Sequence, residues 1–175
     1  MKKIILAVAI IIAATVANVS AQEAELQPTQ LGKWSKPAKT SVEAVDTYVN
    51  ACADMYQEAM DIRQQFDAIE APVVDAIAAA DEALGVEGED TYAKKRAEYD
   101  AVIDRISKQQ EAAQKIPDLA VKATESLGSA GLKAIAAGKA VKSTKDVIVL
   151  VVKENADVLK AAQAQLASLV KPAAK

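Results

Sequence analysis

The chain has 175 residues, is 51% hydrophobic and 26% charged, and carries a formal net charge of −3. It has no histidine, which excludes Ser–His and Cys–His nucleophile pairs, Glu-x-x-His di-iron motifs, zinc triads and His-ligated haem. Its single cysteine excludes an intramolecular disulfide, and its scarce Gly and Pro argue against an all-β sandwich with many turns.

The first element is a leader. Lys2-Lys3 precede the apolar stretch Ile4 to Val16, and Val19-Ser20-Ala21 follow. Residues 1–21 therefore read as a secretory signal peptide cleaved before Gln22, and the expected location is periplasmic or extracellular. A retained anchor is disfavoured, because a span needs about 20 apolar residues and Asn18 and Ser20 interrupt this one. Residues 22–40, with Pro28, Gly32 and Pro37, lack helical periodicity and read as a flexible N-terminal arm. Its Trp34 has two readings: packing over a groove of the folded domain, or anchoring a partner through an apolar ring with one polar N–H.

From residue 41 to residue 170 the pattern is helical. The first arm, 41–84, opens near Thr40 or Ser41, with Ser41, followed by Glu43 and Ala44, as the expected N-cap without a full capping box. Its apolar positions are Val45, Val49, Cys52, Tyr56 and Ala59, then Ile62, Phe66, Ile69, Val73, Ile77, Ala80 and Leu84. Spacing that alternates four and three marks a helix with one buried seam. Pro72 predicts a kink and Gly85 a stop. The second arm, 90–127, is expected to be capped by Asp90. It carries Tyr92, Tyr99, Ile103, Ile106, Ala113 and Ile116, and Pro117 interrupts it.

The third arm, 129–170, has a seam through Ala134, Gly138, Val141, Lys145, Ile148, Val152, Asn155, Leu159, Ala162, Leu166 and Leu169. This spacing passes straight through the apolar run Val147 to Val152. A strand there would have no second strand to pair with, and six residues are too few for a membrane span. The run is therefore expected to be helical. Being apolar all round, it should lie deep, with Lys145, Asp146, Lys153 and Glu154 guarding it against β-aggregation. Residues 171–175 read as a disordered tail. The predicted fold is all-α: an elongated antiparallel bundle of three long amphipathic helices with coiled-coil-like seams. Breaks at Pro117 and Ser143-Thr144 would instead give four or more shorter helices.

Charge is uneven. Residues 22–114 carry net −10 and residues 115–175 net +5, so the two parts should attract when packed side by side. Cys52 lies on the first seam and reads as a buried core residue, with a dimer-forming thiol as the alternative. Asp75, Asp81 and Glu82, like Glu98, Asp100 and Asp104, interleave with apolar positions as a solvated face does. Glu87, Glu89 and Asp90 lack the spacing of a calcium loop and suit a helix start better. No catalytic residue, metal or cofactor is expected.

Lys139, Lys142, Lys153 and Lys160 share a narrow arc of the helical wheel. They read as a solvated stripe or as a lysine face for an anionic surface, and with Trp34 they form the candidate interaction surface. Nucleic acid is not expected, given the acidic total, the few aromatics and the lack of arginine after residue 114. The function these features suggest is that of an exported, non-catalytic helical protein. It would serve as a structural or protein-interaction module in the cell envelope or outside the cell. The alternative is an amphipathic-helix protein that binds lipid or a hydrophobic ligand. An unidentified protein is the expected partner and an anionic membrane surface the other candidate; the sequence leaves oligomeric state open.

Overall fold

The computed structural model describes Thr29, residues 31–69 and residues 87–169, with residues 87–92 described by backbone only. The expected signal peptide at residues 1–21, Pro72, Gly85 and the expected tail at residues 171–175 lie outside the described residues. Within them the chain is all-α, with no strand. Helix α1 spans Glu43–Ala68, α2 Glu87–Ala113, α3 Ile116–Ser126 and α4 Ala134–Ser168. Two short 3-10 turns, Leu127–Ser129 and Gly131–Lys133, connect α3 to α4.

The second predicted arm is divided as Pro117 requires. Proline has no N–H and sits in the first turn of α3, where none is needed. Just before it the helix tightens: the amides of Gln114 and Lys115 donate to Glu111 and Ala112, three residues back. No break occurs at Ser143-Thr144, contrary to the four-helix alternative there. Helix α4 runs through both residues; the Ser143 hydroxyl donates to the Ala140 carbonyl at 3.1 Å and Thr144 is buried. Asp90 is not a cap either, because α2 begins three residues earlier.

The start of α1 also differs from expectation. Its N-cap position is Val42, with no side-chain cap, and Ser41 takes a left-handed φ of 60°. Asp46, one turn inside the helix, does the holding. It accepts from the Thr40 amide at 2.7 Å, the Thr40 hydroxyl at 2.8 Å and the Ser41 amide at 3.1 Å. These bonds fold the end of the arm onto α1. Farther back, Leu31 is buried in the core, the Tyr56 hydroxyl donates to the Gly32 carbonyl at 2.7 Å, and the Trp34 ring lies 5.3 Å from the Tyr56 ring.

Packing shows how the arms run. The Met55 carbonyl meets Gln109, Glu58 meets Arg105, and Phe66 meets Tyr99, so residue numbers rise along α1 as they fall along α2. Two apolar clusters result. The larger gathers Leu31, Val45, Tyr48, Cys52, Met55, Ile116, Ile148 and Val151 with small alanines. The smaller gathers Ile62, Tyr99, Val102, Ile106, Val158, Ala162 and Leu169.

The run Val147–Val152 is helical throughout. Val147, Ile148 and Val151 are buried and Leu150 and Val152 half-buried, but Val149 is 43% exposed, so the run is not enclosed on all sides. The buried line of α4 is Ala137, Ala140, Thr144, Val147, Ile148, Val151, Glu154, Asn155, Val158, Ala161 and Ala162. In the first half of the helix this lies one residue before the expected seam, and Lys145 faces solvent.

Ile148→Asp replaces a packed side chain with a buried charge, and should cost about 4 kcal/mol. A melting temperature equal to the parent's would contradict the packing described for this position.

Asp46 supplies a pH dependence. Desolvation opposes its charge, but the hydrogen bonds from Thr40 and Ser41, with Lys39 nearby, outweigh that and hold the carboxyl below its ordinary value of 3.8. A depressed folded-state pKa gives stability that is complete above the ordinary value and lost as pH falls through the folded one. Acidification from about pH 5 to about pH 2 should therefore loosen residues 31–42 and shift Trp34 emission. Asp46→Asn should show part of that shift at neutral pH. Emission unmoved by both acid and substitution would mean that Leu31 and Tyr56 alone hold the arm.

Candidate functional site

A polar layer separates the two apolar clusters. Gln109 lies between Ile106 and Ala113 on α2, and Glu154 and Asn155 lie between Val151 and Val158 on α4. All three are buried. The Gln109 amide donates to the Met55 carbonyl at 2.6 Å, and the Asn155 amide donates to the Gln109 side-chain carbonyl. Beside them Arg63 donates to Glu154 at 2.8 Å and to Asp67 at 2.9 Å. Glu154, expected as a guard flanking the apolar run, is 3% exposed against Arg63. This pair joins the two oppositely charged parts of the chain with the signs reversed: the cation comes from the acidic part and the carboxylate from the basic part.

Between α1 on one side and α2 and α3 on the other lies an open groove of about 500 Å³. Its apolar lining is Ala51, Met55, Ala112, Ile116 and Leu119; its charged residues are Asp54, Glu58, Arg105, Lys108 and Lys115. The Pro117 break helps to form it, because Ile116 and Leu119 arrive on a separate short helix. Gln109 also lines the groove, linking it to the polar layer. Arg105 donates to Glu58 at 2.8 Å, a bridge from α2 to α1. No single-helix periodicity marks this groove, since three elements form it.

The residues singled out by sequence are not gathered into one place. Trp34 is half-buried against Tyr56 on α1, and its indole N–H has no acceptor among the described residues. Lys139, Lys142, Lys153 and Lys160 are all exposed on α4, on the face away from its buried line. At 1.5 Å per residue the stripe extends roughly 30 Å. Asp146 and Asp157 fall within it. Such a line of separated charges suits an extended anionic surface better than one small anion.

Cys52 is fully buried, and burial pushes its thiol up to about 12 despite a hydrogen bond with Tyr48. It is protonated and enclosed at neutral pH, which suits packing and not nucleophilic attack. Among the described residues no group of three Cys, Asp or Glu side chains is placed to hold a metal ion, and no helix is long and apolar enough to cross a membrane. The chain matches no protein-family model, no curated protein and no solved structure.

Arg63→Met removes the guanidinium from beside an almost fully buried carboxylate, and should cost about 3 kcal/mol. The double variant Arg63→Met/Glu154→Leu should regain much of that, because the buried charge goes with its partner. Urea unfolding of the two variants and the parent makes the comparison. Equal stability of the single variant and the parent would show that the pair does not hold the layer together.

Proposed function

We propose that this chain is an exported, non-catalytic helical module that acts by binding a protein partner, in the cell envelope or outside the cell. The groove between α1 and α2–α3 carries the reading. It offers an apolar strip with charges along its edges, the pattern that receives an amphipathic helix through apolar anchors spaced at three and four residues. The polar groups inside the bundle hold helices to one another, and the buried Cys52 offers no reactive thiol. Export rests on the leader-like residues 1–21 and their small residues before Gln22.

The test uses protein recovered from the native envelope and tagged at its C-terminus. Its N-terminal residue should be Gln22. Ala112→Arg, at an exposed position, and Ala51→Arg, at a half-buried one against the larger cluster, place long charged side chains in the groove. Each should weaken the captured partner roughly tenfold, equivalent to about 1.4 kcal/mol, and Ala112→Arg should leave the melting temperature unchanged. Partner binding unaffected by both variants would remove the groove from the function. Turnover of a small molecule that a carboxylate substitution abolishes would remove the non-catalytic reading.

A further inference from the structure

The corner between α3 and α4 has an unusual surface. Leu132 is fully exposed and Ile135 is 73% exposed, the two most exposed large apolar side chains among the described residues. The corner is made by the two 3-10 turns, and Gly131, which opens the second, has a φ of +56°. A Cβ there would meet nothing within 4 Å, so backbone conformation and not crowding favours glycine. Leu132 follows this left-handed residue directly.

Lysines accompany these two residues along the chain. From Ser126 to Lys145 the chain has four lysines, at 133, 139, 142 and 145, and no acid; Glu125 and Asp146 bound the stretch. All four lysines are exposed, and none forms an ion pair among the described residues. Ile135, Lys139 and Lys142 are spaced by four and three and so share one face of α4. A projecting apolar pair followed by unpaired lysines on the same helix face is what a peripheral protein presents to a lipid surface: the apolar side chains enter the boundary of the acyl region and the ammonium groups meet phosphates. A protein partner would more often be met by aromatic anchors, and residues 126–145 hold none; the cavity beside the corner, lined by Ser126, Ser129, Ala130 and Lys133 with Glu43 and Lys122, includes neither Leu132 nor Ile135.

We infer that the α3–α4 corner docks on an anionic phospholipid surface, with Leu132 and Ile135 inserting and Lys133, Lys139 and Lys142 neutralising headgroups. The docking leaves the groove, which is lined by α1, α2 and α3, available for a separate partner, and does not depend on that partner.

The experiment is vesicle co-sedimentation of residues 22–175, which hold every described residue. Vesicles of phosphatidylcholine alone are compared with vesicles containing phosphatidylglycerol, at low and high salt. The chain should bind the anionic vesicles at low salt and be released by salt. Lys133→Gln/Lys139→Gln/Lys142→Gln should lower binding about a hundredfold, at about fivefold per lysine. Leu132→Ser/Ile135→Ser should lower it at least about tenfold. All replaced side chains are exposed, so the melting temperatures of both variants should match the parent's. Equal binding to both vesicle types, no binding to either, or parental binding by the two variants would overturn the inference. Binding of inorganic phosphate or of an acidic protein through the same lysines, without vesicle binding, would overturn it in favour of those ligands. The groove variants Ala51→Arg and Ala112→Arg should bind vesicles as the parent does, so failure here is distinguishable from failure of the groove.

Discussion

The contact on which the rest of this fold depends is the small polar layer in the middle of the helices. Gln109 reaches across to the Met55 carbonyl and receives Asn155, while Arg63 reaches Glu154. Apolar seams rich in alanine and valine tolerate sliding by a turn, because one small side chain replaces another at little cost. A buried amide or carboxylate does not tolerate it, because losing its partner leaves a desolvated polar group. Three helices are thereby fixed in one register, and the apolar clusters on either side pack around that choice.

The register determines the surfaces. With α2 held against α1 at Met55 and Gln109, the chain reaches Pro117 at a point where a short helix must turn away, and the groove opens at that departure. With α4 held at Glu154 and Asn155, its lysines face outward along its whole length. The exposed corner at the start of α4 is the far end of the same helix, where Leu132 and Ile135 are left outside.

Sequence made the helical class, the break at Pro117 and the seam of α1 readable, because valine, isoleucine and aromatic side chains there contrast sharply with their charged neighbours. On α4 that contrast fails. Ala134, Ala136, Ala137 and Ala140 are equally acceptable inside and outside, and Val147 to Val152 is apolar at every angle, so periodicity fixes a helix but not its rotation. The expected seam accordingly fell one residue away from the buried line and included Lys145. Glu154 was unreadable for another reason. Its burial depends on Arg63, 91 residues earlier in the chain, and no local pattern records that pairing. The lysine stripe was legible as spacing. The groove and the corner were not, since the first needs three helices and the second depends on which apolar side chains the packed helices leave outside.

Division of the interior by a polar layer has a consequence for how the molecule breathes. An opening that starts at the Ile62, Tyr99 and Leu169 end exposes one apolar cluster and then reaches groups that accept water readily. The layer acts as a fire-break: solvent that enters from that end can be accommodated there before the cluster around Val45 and Cys52 loosens. Amide hydrogens on either side of Gln109 and Asn155 should then exchange as two cooperative blocks within helices that are continuous across the boundary.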